Sequence, residues 1–175
     1  MDDNKKRKLL EKRELLNQKL NLLKEKNRQD DLKHRLRYQI EYLERNDFSY
    51  SINYNDEYLY WMQRNYPIRK KDGYYGIHDF QIDIQDEDEN CTSIYFEKHD
   101  DIQFVFEREL LKLSNTEQEI VKCVNGGDPE LVISIKALLS DVDVFLNSAE
   151  VWFILKDKSL VIEYISDRKS IRFVK

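Results

Sequence analysis

A chain of 175 residues with 41% apolar and 36% charged residues is long enough for one domain with a core plus an appendage. Its net charge of −5 hides an asymmetry: residues 1–47 carry 14 Lys/Arg against 10 Asp/Glu, and the other 128 carry 15 against 24. Four glycines and two prolines argue against a flexible linker, and no apolar run approaches the roughly 18 residues of a membrane span. The opening "MDDNKKRKLLEKRELL" is too charged for a secretory leader, and Cys91 and Cys123 make no disulfide framework. A cytoplasmic protein with two reduced thiols is the expectation.

Residues 1–46 contain neither Gly nor Pro and read as a helical, coiled-coil-like arm. Leu9, Leu16 and Leu23 are seven apart and occupy one heptad position. Leu20 occupies the other, with Lys6, Arg13 and Asn27 filling the rest of it. The stripe breaks over "KEKNRQDD" and resumes at Leu32, Leu36, Ile40 and Leu43. Two arrangements fit: one continuous helix, or a hairpin that turns at 27–31. Leu9, Leu16, Leu20 and Leu23 are the candidate oligomerisation residues, and a second copy of the chain in a homodimer, the body of the same chain or another protein would cover them.

The segment 47–76 connects arm and body, and seven of the eleven tyrosines fall within residues 49–76. Tyr54, Tyr58, Trp61 and Met62 follow a three-four spacing, the inner face of a short helix that Pro67 ends. Tyr50, Tyr60, Tyr66, Tyr74 and Tyr75 are left over, and Tyr60, Tyr66, Tyr74 and Tyr75, with Arg64, are the candidates for a contact surface. Tyr and Arg are enriched at interface hot spots because they bring area and polar tips at low entropic cost.

The body, 77–175, reads as α+β: three strands, two helices, three strands, an antiparallel sheet with helices packed on one face. Phe80, Ile82 and Ile84 alternate with polar residues, as do Ile94 and Phe96, then Ile102, Phe104 and Phe106, so a three-stranded meander is predicted. Thr116 and Glu119 make a capping box before "EQEIVKCV", with "NGG" as its stop. Asp128 and Pro129 then open a second helix, "PELVISIKALLSDVDVFLNSA", predicted to be the central buried one. "EVWFILK", "LVIEYI" and "SIRFVK" are strands again, the first two nearly solid apolar runs.

Chemistry-bearing patterns are few. Nine acids and one base lie between Asp79 and Asp101. Asp86, Asp88, Asn90 and Glu97 fall on calcium-loop positions, but Cys91 stands where that loop needs Gly and a strand follows where a helix should. A solvated loop is the simpler reading, and Asp86, Glu87, Asp88 and Glu89 then form a negative patch suited to a basic partner. His78, His99 and Cys91 lack zinc-ligand spacing, and there is no phosphate loop or nucleophile elbow. No metal and no cofactor is expected. The expectation is a non-enzymatic interaction module, in one version an immunity or inhibitor protein that binds a basic partner through an acidic, Tyr-edged surface. The second reading is a nucleic-acid-associated regulator dimerising through its arm. The segment's few bases and the body's negative charge argue against nucleic acid, which exacts a basic footprint.

Overall fold

The computed structural model describes residues 3–72, 78–83, 89–99, 101–113, 115–124 and 128–175. The chain divides into two compact units, 1–35 and 36–175.

The first unit is helix α1, Asp3–Arg35, about 50 Å long at roughly 1.5 Å per residue. It runs unbroken through 27–31, so the continuous arrangement holds there and the hairpin does not. The break falls later, at Leu36, and a separate helix α2 spans Arg37–Arg45. Leu36, Ile40 and Leu43 are buried in the core of the second unit. The later stretch of the sequence stripe is therefore core, and residues 36–46 belong with the body instead of the arm.

The second unit is built on a seven-stranded antiparallel sheet. Its strands are β1 (Tyr50–Asn53), β4 (Cys91–Tyr95), β5 (Glu119–Val124), β6 (Glu130–Ser134), β7 (Glu150–Leu155), β8 (Val161–Ile165) and β9 (Ser170–Val174). They lie in the order β1-β6-β5-β7-β8-β9-β4. β2 (Ile68–Asp72) and β3 (His78–Ile82) form a separate two-stranded sheet. The remaining helices are α3 (Glu57–Asn65), α4 (Asp101–Leu110), α5 (Ile135–Ser140) and a 3-10 turn at Val142–Phe145.

Alternation along the strands gives the sheet two different faces. Ile120, Leu131, Ile133, Val151, Phe153, Ile162, Ile171 and Phe173 point to one side, where α2, α4, α5 and the 3-10 turn cover them. Val121, Cys123, Val132, Trp152, Ile154, Val161 and Val174 point to the other, where they meet Leu59 and Met62 of α3 and Ile82 of β3. Because both faces are covered, the central strands read as solid apolar runs with little alternation.

That double burial explains where the sequence pattern misleads. "EQEIVKCV" is strand β5, so Thr116 and Glu119 cap no helix. "ELVIS" is strand β6, and the predicted central helix shrinks to α5, capped by Ser134, whose Oγ accepts from Ala137 N at 3.1 Å. A short apolar run buried on both sides has no period that separates strand from helix. "DIQFVFEREL" is a helix, α4, with Ile102, Val105, Phe106 and Leu110 buried at helical spacing and Phe104 exposed. The meander also fails, since β3 pairs with β2 and β4 pairs with β9. The body is thus three elements in the order strand, strand, helix, then a hairpin, short helices and the three closing strands.

Candidate functional site

The second face of the sheet carries a transverse row with one residue from each of its seven strands. Asn53 faces Glu130, Cys123 faces Trp152, Trp152 faces Glu163, Glu163 faces Arg172, and Arg172 faces Ser93. The Cys123 thiol donates to Glu130 at 3.7 Å and joins the two halves. Glu130, Glu163 and Arg172 are buried charged residues inside a mostly apolar layer.

Each carboxylate holds a piece of chain against this face, Glu130 the aromatic segment and Glu163 strand β3. Glu130 accepts from Tyr58 N at 2.7 Å and Leu59 N at 2.8 Å, the first turn of α3, and from Asn53 Nδ2 at 2.7 Å. These are the unsatisfied donors of a helix start, so Glu130 serves as the cap that Asp56, without a side-chain cap bond, does not supply. Glu163 Oε1 accepts from Ile82 N at 2.8 Å and from the Trp152 indole at 3.0 Å, and its other oxygen lies 3.2 Å from Arg172 Nη1. It fixes the end of β3. Burial raises the pKa of both carboxyl groups, and the hydrogen bonds they accept oppose that rise. Burial also pushes the Cys123 thiol up, which makes it a poor nucleophile.

Clamped this way, α3 turns Leu59 and Met62 inward and leaves Glu57, Tyr60 and Arg64 on one solvent stripe. Tyr60 is 50% exposed. Beside the stripe, Tyr58 and Trp61 are half-buried, and Lys158 Nζ sits 5.3 Å from each ring centroid. Trp61 meets Tyr66 edge-on at 5.9 Å, and burial raises the phenol pKa of Tyr66 and of Tyr58. The result is a rigid aromatic surface with a cationic rim, borne on a well-anchored helix.

Of the residues singled out from sequence, Tyr60 and Arg64 share the outer stripe of α3, whereas Tyr66, its C-cap, is half-buried against the core beside Trp61. Glu89 is exposed in the turn before β4. α3 packs over β5, and β4 lies four strands further along, about 19 Å at the usual strand spacing. So Glu89 and the tyrosines do not form one patch. Asp86, Glu87, Asp88, Tyr74 and Tyr75 lie outside the described residues, as does the side chain of Leu9. Leu16, Leu20 and Leu23 are exposed on α1, together with Leu10, Leu15 and Leu22, at 49–72%.

Glu130 and Glu163 are the residues that sequence reasoning missed. Their signal was present: each is a lone acid in an apolar strand run, "ELVIS" and "LVIEYI", as Arg172 is a lone base in "SIRFV".

Other groups carry less. A cleft of about 570 Å³ opens at the start of β1, but its Glu117 pairs with Lys136 at 3.4 Å and its Glu119 with Lys156. His99 bonds Asp143 at 3.1 Å, and Cys91 is buried. Among the described residues no three His, Cys, Asp or Glu cluster for a metal, and no helix is long and apolar enough to cross a membrane. Lys122 is buried in the other, helix-covered layer, where its Nζ donates to Asn147 Oδ1 at 2.5 Å and burial lowers its pKa to about 8.

Compared with known protein families, with curated proteins and with solved structures, the chain matches none.

Proposed function

We propose that this chain is a cytoplasmic protein-interaction module without catalysis of its own. It has two contact surfaces, the solvent face of α3 and the leucine stripe of α1. The observation that carries the reading is the anchoring of α3: a buried carboxylate caps it, two residues bury its inner face, and Tyr60 and Arg64 face outward. A rigid Tyr/Arg surface loses little entropy on binding, which is how hot spots are made. The charge of residues 36–175, 17 Lys/Arg against 27 Asp/Glu, favours a basic partner for the body. An inhibitor or immunity-type protein covering a basic enzyme or toxin is the most concrete version. The α1 stripe then joins the module to a second helix.

Affinity capture from host lysate, after nuclease, tests this with wild type and the Tyr60→Ala/Arg64→Ala variant side by side. The expected result is one stoichiometric basic protein held by wild type and lost by the variant. An identical set on both would overturn the α3 surface. Loss of everything on nuclease treatment would transfer the case to a nucleic-acid-associated regulator.

A further inference from the structure

The leucines of α1 sit in a particular charge setting. At about 100° per residue, Leu16, Leu20 and Leu23 fall within a strip roughly 60° wide. Lys12, Lys19 and Lys26 border it on one side and Arg13 and Lys24 on the other, with Asp30 and Asp31 following at the C-terminal end, one on each side. Glu11, Glu14 and Glu25 fall on the opposite face, where Arg7 pairs with Glu11 at 3.5 Å and Arg28 with Glu25 at 3.3 Å. Leu15 and Leu22 make a second, shorter strip beyond Lys12 and Lys19. Residues 1–35 together hold 12 Lys/Arg against 7 Asp/Glu.

We infer that the α1 stripe docks an acidic amphipathic helix of a different protein, with leucine-like residues in its seam and Glu or Asp along its flanks. The inference rests on the reading of α1 as a contact surface and names its partner.

Charge selects against the two other occupants. In a parallel pair of identical chains, Arg13 would face Arg13 in the seam, Asp30 would face Asp30, and Lys19 would meet Lys24. Lys26 against Asp31 is the one flanking match. In an antiparallel pair, the Lys12, Lys19 and Lys26 flanks would face each other. Like charges in such positions work against pairing; an acidic partner turns those at Lys12, Arg13, Lys19, Lys24 and Lys26 into attractions and leaves Asp30 opposed. An anionic membrane would also favour the lysines, but a helix lying in a bilayer surface needs a continuous apolar face, commonly with Trp or Phe. Here Lys12 and Lys19 split the leucines into two strips, and residues 1–35 hold no aromatic side chain. A seven-residue leucine repeat with basic borders fits a helix better than a lipid surface.

The test uses the full chain, wild type and Lys12→Glu/Lys19→Glu/Lys26→Glu. The probes are two labelled four-heptad peptides with leucine seams, one flanked by Glu and one by Lys. Vesicles containing phosphatidylserine and sedimentation of the chain alone complete it. The expected result is that wild type binds the Glu peptide about 100-fold more tightly than the Lys peptide, more weakly at high salt, and that the triple variant reverses the preference. A salt-insensitive wild-type dimer at micromolar concentration would overturn the inference and leave the stripe a contact surface. Vesicle binding without the peptide preference would overturn it likewise. If wild type binds neither peptide, neither itself nor vesicles, the reading of α1 as a contact surface falls as well.

Discussion

Helix α1 and the second face of the sheet treat polar and apolar residues in opposite ways. On α1, six leucines are 49–72% exposed. Under α3 and β3, two carboxylates and an arginine are buried, with hydrogen bonds or an ion pair to strand, helix and indole groups. Residue type did not decide burial in either place. In the body, a buried charge is tolerated because fixed partners surround it; on α1, exposed leucines wait for a surface to supply what the helix lacks.

The largest effect should come from the body's buried charge. Glu163→Ala removes the acceptor for Ile82 N–H and the Trp152 indole and the ion-pair partner of Arg172. We expect it to cost about 3–5 kcal/mol in urea unfolding; a change below about 1 kcal/mol would mean the row is not structural. Next, Leu43→Ala should cost about 2–5 kcal/mol, while Leu16→Ala should stay within about 0.5 kcal/mol. Equal losses would erase the contrast between the two parts of the leucine pattern.

Lys122 sharpens the comparison through pH. Its pKa is about 8 when folded and that of an ordinary lysine when unfolded, so between these values the unfolded chain binds more protons. The penalty of keeping it charged is full below pH 8 and disappears as pH rises to the unfolded value, so stability rises with pH across that window. Lys122→Met should therefore stabilise by up to about 3 kcal/mol at pH 7, and the gain should shrink steadily above pH 8. Paired melts across that range check it, and a gain independent of pH would assign the effect to packing. Glu130→Ala should cost about 1–3 kcal/mol, with hydrogen exchange quickening in α3 ahead of β7. Tyr60→Ala should move stability by no more than about 0.5 kcal/mol, because its side chain is half exposed on the outer stripe of α3.

Legibility followed burial. α1 was readable because its sequence lacks Gly and Pro, and β7, β8 and β9 because their apolar runs end at polar turns. α3 was readable in part: Pro67 marks its end, but Tyr54, placed on its inner face by spacing, precedes its start at Glu57, and Leu59 takes the inward position beside Met62. Residues 119–139 were not, because strands covered on both faces lose their alternation, and Leu131, Ile135 and Leu138 then mimic a helix stripe. The end of the arm was misplaced for a related reason. Leu36, Ile40 and Leu43 continue the pattern of Leu16, Leu20 and Leu23, and sequence alone does not say that one set is core and the other surface. The proposed contact surface rests on Tyr60 and Arg64, which stood out by type, whereas the carboxylate that caps their helix comes from a strand more than sixty residues away.

The central proposal is that the leucines of α1 become covered when a partner helix binds. Hydrogen exchange of the full chain, alone at low micromolar concentration and read by mass spectrometry, tests it directly. Residues 10–31 should exchange orders of magnitude faster than β7 and β8, and should slow when the Glu-flanked peptide is added. Protection of 10–31 equal to that of β7 in the protein alone would show that the leucines are already covered, and would contradict the account.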